Sequence, residues 1–432
     1  MIELSGMGVS SLKRCLIMIT SGFPFGISET YIESEVVFLK DSFDKVIILP
    51  IELNPGAVMM RTLPDGIEYY NVSQKRQSVA RTGDILGGLH NLVSPTEFYK
   101  WDKKEIGFDF RKRMFFEYFC NRSQRSYGEC VRVLDKIDLE DYDSITVYSY
   151  WFFATALVGV MLKDYFLEKG ANVKLISRAH GYDIYEDRNV LNYLPLRRFL
   201  LEKCDAVYPC SDVGTEHIIS RYPEYADKVK TAHLGTVDAG LGMQSDDGLH
   251  IVSCSLITDI KRIDKIIDIL EKIEKSGNYN IKWTHIGDGN RRHELEKSVR
   301  TRLKKTEAEF LGNIPNNEVY DYYKNNPVDL FISTSKSEGL PVSMMEAASF
   351  GIPIVSTDVG GVCEIVESGY NGQLLSERAS ADEFADYIKH FYSISKSERA
   401  FYRENSRRLW EESFNAGKAY PDFFSTPILS RS

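Results

Sequence analysis

The chain has 432 residues, of which 43 % are hydrophobic and 12 % aromatic, and its 53 Lys+Arg against 62 Asp+Glu give a net charge of −9. This composition excludes a disordered chain, and neither half is basic enough to predict a nucleic-acid-binding protein. No apolar run reaches the roughly 18–20 residues that span a bilayer, so an integral membrane protein is not expected. The length favours two domains.

Cysteine usage and the N-terminal segment both favour the cytoplasm. The seven cysteines are an odd number without a Cys-x-x-Cys pair, which argues against a disulfide framework and against a zinc site. The apolar run at residues 15–19 is shorter than the hydrophobic region of a secretory signal peptide. We therefore expect a cytoplasmic protein, either free or held at the inner face of the membrane.

Short apolar runs rich in β-branched residues alternate with longer helical patterns along the whole chain. Two series of strands are predicted, at residues 15–20, 46–50, 145–149, 173–177 and 206–210, and at residues 251–255, 282–286, 330–334 and 352–357. Continuous apolar strands separated by helices are typical of parallel sheets covered on both faces. The sequence therefore predicts an α/β protein whose ligands bind at the carboxyl ends of the strands.

A junction between two domains is visible at residues 240–248, which contain three glycines and show no periodicity. It predicts two doubly wound domains of similar size, at residues 1–243 and 248–412. Residues 51–140 lack a clear alternation of strands and helices. Within them, residues 108–116 combine three basic residues with four phenylalanines, a pattern of either a membrane-surface contact or an ordinary amphipathic helix.

The most informative stretch is residues 331–346, where a predicted strand leads through a Ser- and Gly-containing loop to Pro341 and a helix. Free amides after Gly339 and Leu340, at the positive end of the helix dipole, would form an anion site. Glu338 and Glu346 flank this site, and carboxylates accept hydrogen bonds from paired sugar hydroxyls. The arrangement suits a ligand with phosphates in the middle and sugars at both ends, which describes a nucleotide sugar.

Glu338 and Glu346 stand in the setting Ser-Glu-Gly-Leu-Pro…Glu-Ala…Gly-Ile-Pro-Ile-Val-Ser-Thr-Asp-Val-Gly-Gly. This setting resembles the donor-site signature of the retaining family-4 glycosyltransferases (glycosyltransferases group 1). The resemblance implies the GT-B fold, with two Rossmann-like domains facing an interdomain cleft. It also implies that Glu338 contacts the transferred sugar, that Glu346 binds the ribose, and that the Gly339–Leu340 backbone lies at the diphosphate.

Two adjacent cations, Lys261 and Arg262, follow the strand predicted at residues 251–255. Cations there would offset the charge that develops on a departing diphosphate. The family commonly has an arginine directly after this strand and a lysine several residues later. Lys261 matches the lysine and Arg262 is the nearest guanidinium, whereas Ser255 occupies the usual arginine position.

Two further segments of the second domain resemble the family's nucleotide-binding parts. One is the Gly287-Asp288-Gly289 turn after a strand, and the other contains Asn313 and Ile314 near the expected position of the base. Gly287, Asn313 and Ile314 are therefore predicted to bind the donor, although a plain glycine turn explains the first segment equally well.

In the first domain, His180 follows the strand predicted at residues 173–177 and precedes a glycine turn. The family has a histidine there that faces the transferred sugar, so the resemblance implies a catalytic role for His180. Arg178 and Asp183 are weaker candidates for acceptor contacts. Gly22, after the first strand, matches the family's glycine-rich loop at the donor–acceptor junction, although adjacent glycines are missing.

These residues predict a retaining glycosyltransferase that uses a nucleoside-diphosphate sugar and a glycan or lipid-linked acceptor. It is expected to act in bacterial cell-surface polysaccharide assembly without a metal or another cofactor. The resemblance also implies that residues 413–432 cross back to the first domain. Two alternatives stay open: a nucleotide-sugar epimerase of the same fold, which needs no acceptor, and a catalytically degenerate assembly partner.

Overall fold

The computed structural model describes residues 12–26, 29–53, 56–72, 96–189 and 191–430, together with Gly83 and Gly87. The chain divides into two compact units. The first comprises residues 1–209, 217–230 and 421–432, and the second comprises residues 210–216 and 231–420. Among the described residues, no helix combines the length and the apolar composition needed to cross a bilayer.

The first unit is built on a six-stranded sheet of order β3-β2-β1-β4-β5-β6, in which every pair of neighbours is parallel. Its strands are β1 (Arg14–Thr20), β2 (Lys45–Pro50), β3 (Ile67–Tyr69), β4 (Ser144–Ser149), β5 (Val173–Ala179) and β6 (Ala206–Pro209). The central strand β1 is buried along its whole length, as expected for a strand covered on both faces.

The first unit has seven described α-helices, of which five contribute side chains to one large apolar core. They are α1 (Ile32–Val36), α2 (Leu39–Ser42), α3 (Tyr99–Ile106), α4 (Phe110–Leu134), α5 (Ala154–Glu168), α6 (Arg197–Lys203) and α7 (Asp212–Arg221), the last of which is shared between the two units. Helix α5 is buried on most of its surface because it lies against the sheet and against α4.

The second unit repeats the plan with a parallel six-stranded sheet of order β12-β11-β10-β7-β8-β9. Its strands are β7 (Leu249–Cys254), β8 (Ile281–Ile286), β9 (Glu307–Gly312), β10 (Leu330–Ser333), β11 (Ile354–Thr357) and β12 (Gly372–Leu375). Its described helices are α8 (Ile263–Ser276), α9 (Arg292–Arg302), α10 (Asn316–Asn325), α11 (Val342–Ser349), α12 (Ala381–Ser393), α13 (Lys396–Ser413) and α14 (Ala416–Phe424), the last of which is shared between the two units.

The second unit begins before residue 243 and extends beyond residue 412, so its limits differ from the predicted domain boundaries. Thr236 explains both differences, because its amide donates to the Phe414 carbonyl (2.8 Å) and its own carbonyl accepts from the Ala416 amide (3.0 Å). The Trp410 indole also donates to the Thr236 hydroxyl (2.7 Å). These bonds attach residues 231–243 to the end of α13, whereas residues 421–432 belong to the first unit.

Candidate functional site

The loop between β10 and α11 brings Glu338 to an ion pair at the carboxyl end of the second sheet. The Lys261 ammonium donates to Glu338 Oε1 at 2.5 Å, and both side chains are largely withdrawn from solvent. A small pocket lies beside the pair, and its lining includes the hydroxyl-bearing residues Ser253, Ser255, Ser333, Thr334 and Ser343. The site therefore presents a paired cation and anion among groups that can donate or accept hydrogen bonds.

The Glu338–Leu340 loop is fixed by a glycine pair on the segment that follows β11. Gly360 has a φ of +57°, and a Cβ there would lie 1.9 Å from the Glu338 carbonyl oxygen. The Gly361 amide donates to the Gly339 carbonyl at 2.7 Å. Only glycine permits this backbone approach, so Gly360 and Gly361 hold the loop in place in addition to forming a turn.

Helix α11 begins directly after Pro341, which caps the helix and has no amide hydrogen to donate. Leu340 is buried beside it. Glu346 lies one turn into the helix and is also buried. Its carboxylate accepts from the Asn316 side-chain amide at 2.7 Å, and burial raises its pKa to about 7 in spite of that hydrogen bond. Glu346 is thus a carboxyl group whose charge changes near neutral pH.

Arg262 lies next to Lys261 in sequence but has different contacts. It adopts a left-handed conformation (φ +50°) before α8. Its guanidinium donates to the carbonyls of Thr334, Ser335 and Glu377. These bonds tie three loops together, so the structure gives Arg262 a positioning role and leaves Lys261 as the cation beside Glu338.

The Gly287 turn lies at the end of β8, where the Gly287 amide donates to the Gly312 carbonyl at 2.8 Å. Gly287 has a φ of +137°, and a Cβ there would lie 1.9 Å from the Ser255 carbonyl oxygen. The residues after Gly312 are more open, since Asn313 is exposed and Ile314 half-buried. Gly287 therefore shapes the turn through its backbone, while Asn313 and Ile314 remain accessible to a ligand.

In the first unit, His180 lies at the end of β5 in a cluster of aromatic rings. Its ring centroid lies 4.7 Å from that of Trp151 and 5.1–5.2 Å from those of Tyr31 and Tyr150. Its Nε2 is 2.9 Å from the Tyr150 carbonyl oxygen, which can only accept, so Nε2 carries the proton. Burial lowers the pKa of His180, which makes it a neutral imidazole at pH 7.

Arg178 and Asp183 are both fully buried, which differs from the predicted acceptor contacts. The Arg178 guanidinium pairs with Glu35 at 3.3 Å and bonds to the Tyr148 hydroxyl at 2.8 Å, because its position in β5 directs the side chain into the core. Asp183 accepts from the backbone amides of Phe152, His180 and Gly181 at 2.8–2.9 Å. These contacts give both residues structural roles, with Asp183 holding the loop that carries His180.

Gly22 belongs to a loop whose backbone amides bind a carboxylate of the same chain, that of Glu29. The amides of Ser21, Gly22 and Phe23 donate to the Glu29 carboxylate at 2.7–3.0 Å. The Trp151 indole donates to the same carboxylate at 2.7 Å. Glu29 was not among the predicted site residues, because the burial that makes it an anion internal to this loop is visible only in the fold.

Among the described residues, Asp212, His233 and Glu364 form a group with metal-ligand chemistry. Their hydrogen bonds account for the arrangement without an ion. Glu364 accepts from the amides of Asp212 and Val213 at the start of α7 (2.9 and 3.0 Å), and His233 Nε2 lies 2.9 Å from the same carboxylate. The group therefore functions as a helix cap.

Comparison with known proteins identifies the second unit. Residues 244–408, which contain Lys261, Glu338 and Glu346, match the family described as glycosyl transferases group 1. Over these residues the chain is similar to the group 1 glycosyl transferases. The chain is also 26 % identical over 226 residues to the amylovoran biosynthesis glycosyltransferase AmsK of Erwinia amylovora, covering 47 % of this chain and 52 % of AmsK. It spans about half the length of the curated relatives that it matches.

Solved structures extend the likeness of the glycosyltransferase domain to the whole chain. The apo form of the lipopolysaccharide outer core galactosyltransferase WaaB aligns with a TM-score of 0.66 at 15 % identity, covering 95 % of this chain and 98 % of WaaB. Anabaena HepE in complex with UDP-glucose aligns with a TM-score of 0.60 at 15 % identity, covering 96 % and 98 %. At these identities the comparison shows the fold alone, and that fold is GT-B.

Proposed function

We propose that this chain is a retaining glycosyltransferase that transfers a sugar from a nucleoside diphosphate to an acceptor hydroxyl. The observation that carries the proposal is the Lys261–Glu338 ion pair at the start of α11, with the buried Glu346 farther along the same helix. A diphosphate needs a cation, and the hydroxyls of two sugars need acceptors. The three side chains supply both within the group 1 glycosyltransferase domain.

In the proposed reaction, the bond between the sugar's anomeric carbon and the diphosphate breaks, and a new bond forms to the acceptor oxygen on the same face. The acceptor proton passes to an oxygen of the departing diphosphate. Lys261 stabilises the charge that develops on the diphosphate, a contribution typically of a few kcal/mol. Glu338 binds hydroxyls of the transferred sugar. A role for the neutral His180 in orienting the sugar rests on the family resemblance.

Glu346 is proposed to accept hydrogen bonds from the ribose, and the chain's own residues then supply the chemistry without a resident metal or cofactor. Glycan and lipid-linked acceptors are both compatible with the proposal. The name of AmsK supports a setting in bacterial polysaccharide biosynthesis. The HepE complex with UDP-glucose supports a nucleotide-sugar donor.

The test is the release of nucleoside diphosphate from a panel of nucleotide sugars, with and without glycan acceptors, comparing the chain with Glu338→Ala. We expect one donor to be turned over and the variant to lose about 10²–10³ in rate. Glu412→Ala, which removes an exposed carboxylate of α13, is the matched control and should leave the rate unchanged.

Four outcomes would contradict the proposal. Equal turnover by Glu338→Ala would remove Glu338 from the site, and inversion at the anomeric carbon of the product would exclude retention. Conversion of the donor without any acceptor would instead favour the epimerase. Loss of activity in EDTA that is restored by a divalent cation would refute metal-independent chemistry.

A further inference from the structure

The corner between α3 and α4 in the first unit exposes two phenylalanines to solvent. Gly107 ends α3 with a φ of +52°, and the chain turns there before α4 starts at Phe110. Phe108 is fully exposed and Phe110 is 64 % exposed. By contrast, Ile106 and Phe116, on either side of the corner, are buried in the apolar core. The corner therefore displays apolar surface that the fold itself does not use.

Single exposed apolar residues are common on protein surfaces, but two phenylalanine rings two residues apart at one corner expose a concentrated apolar area. Phe115 shows the alternative, since its ring packs against Phe153 and Tyr193. The segment at residues 108–116 thus divides into two outward and two inward phenylalanines. An amphipathic helix with a solvated basic face accounts for the inward pair but leaves the outward pair unexplained.

Exposed basic side chains lie on both helices that meet at the corner. Lys100, Lys103 and Lys104 are exposed and share one face of α3, since they are three and four residues apart, and Arg111 is exposed in the first turn of α4. Residues 99–113 contain six Lys+Arg and three Asp+Glu, a local excess of +3 in a chain of net charge −9.

Two of the three acidic residues of the corner are already engaged in hydrogen bonds within the fold. Asp102 is buried and accepts from the Tyr193 hydroxyl and the Leu196 amide. Asp109 accepts from the amides of Arg111 and Lys112, so its charge is balanced by the start of α4. Among the described residues from Tyr99 to Arg111, Glu105 is therefore the acidic residue that is exposed to solvent.

We propose that this corner, residues 99–113, docks on an anionic lipid bilayer. Phe108 and Phe110 insert among the lipid headgroups and upper acyl chains, and the lysines of α3 contact the lipid phosphates. Neighbouring apolar and cationic groups of this kind are better suited to a bilayer surface than to a groove on another protein. A bilayer buries apolar rings and attracts cations at the same flat surface. The surface goes beyond the proposed function and does not depend on it.

The test is co-sedimentation of the full chain with vesicles, without donor or acceptor. We expect binding to vesicles of equimolar phosphatidylglycerol and phosphatidylcholine, weakened by salt, and little binding to phosphatidylcholine alone. The double variant Phe108→Ser/Phe110→Ser should lower the partition coefficient about tenfold or more. The double variant Lys103→Glu/Lys104→Glu should lower it by a similar or larger factor for anionic vesicles only.

Matched controls lie on the second unit. Phe401→Ser removes another exposed phenylalanine, and Lys297→Glu/Arg300→Glu reverses two exposed charges on α9, so neither should change vesicle binding. Unchanged far-ultraviolet circular dichroism would show that each variant is folded. The proposal is overturned if the chain binds neither vesicle, as expected for a protein-docking corner, or if the corner variants bind as well as the controls. Glu338→Ala should bind vesicles normally, which separates this test from that of catalysis.

Discussion

Replacing Glu346 with glutamine should change how the stability of the chain depends on pH. The pKa of this buried carboxyl is raised from 4.5 to about 7. Between these values the folded chain holds a proton that the unfolded chain has lost, so the free energy of unfolding falls as pH rises. One pKa unit corresponds to about 1.4 kcal/mol, so the loss due to Glu346 is about 3 kcal/mol and is complete above pH 7.

Glutamine is the appropriate substitution because it has nearly the same shape and keeps an oxygen for the Asn316 amide, but cannot ionise. The assay is urea denaturation of the chain and of Glu346→Gln at pH 4.5 and pH 8. We expect the stability of the variant relative to the parent to rise by about 3 kcal/mol between the two pH values. Taking the difference cancels the contribution of every other titrating group. A difference that does not vary with pH would refute the assignment of a raised pKa to Glu346.

Three further predictions concern Glu346, Gly360 and Arg178, and Gly369 supplies a control for the second of them. Donor binding should strengthen from pH 6 to pH 8, because only ionised Glu346 presents two accepting oxygens, and calorimetric titration should show that Glu346→Gln removes this trend. Gly360→Ala should abolish donor binding and lower the melting temperature by several degrees, since its Cβ meets a carbonyl oxygen at 1.9 Å. Gly369→Ala, with a positive φ but no atom within 4 Å, should cost only about 1 kcal/mol. Arg178→Met should destabilise the chain by about 3–5 kcal/mol because it leaves Glu35 buried without its cation, and thermal unfolding in which the variant matches the parent would contradict this.

The strands that sequence reasoning found and missed differ in burial. Each of the nine predicted strands overlaps a strand of the structure, because each is a run of buried apolar residues. Among the described residues, the missed strands are β3, β9 and β12, which lie at sheet edges and are mostly half-buried or exposed. These three strands contact the core on less of their surface than the edge strand β6, so their sequences lack the continuous apolar run on which the prediction depended.

The candidate site was predictable where a motif encodes it and unpredictable where distant residues complete it. Glu338 and Glu346 lie eight residues apart in one motif, and both belong to the residues that match the family. The different environments of Lys261 and Arg262 depend on loops more than 70 residues away, which no local pattern reveals. The contacts of Arg178 were unpredictable for the same reason, since its partner Glu35 lies 143 residues earlier in the chain.

The buried network around Glu35 constrains how this protein can evolve. The hydroxyls of Tyr148 and Tyr150 donate to the two oxygens of Glu35 (2.6 and 2.7 Å), and the Arg178 guanidinium lies 4.4 Å from the centre of the Phe423 ring. Losing any one member removes a hydrogen bond or a charge from a site closed to water. Substitutions at these positions are therefore expected to be epistatic, so that homologues keep the whole set or replace it together with apolar residues.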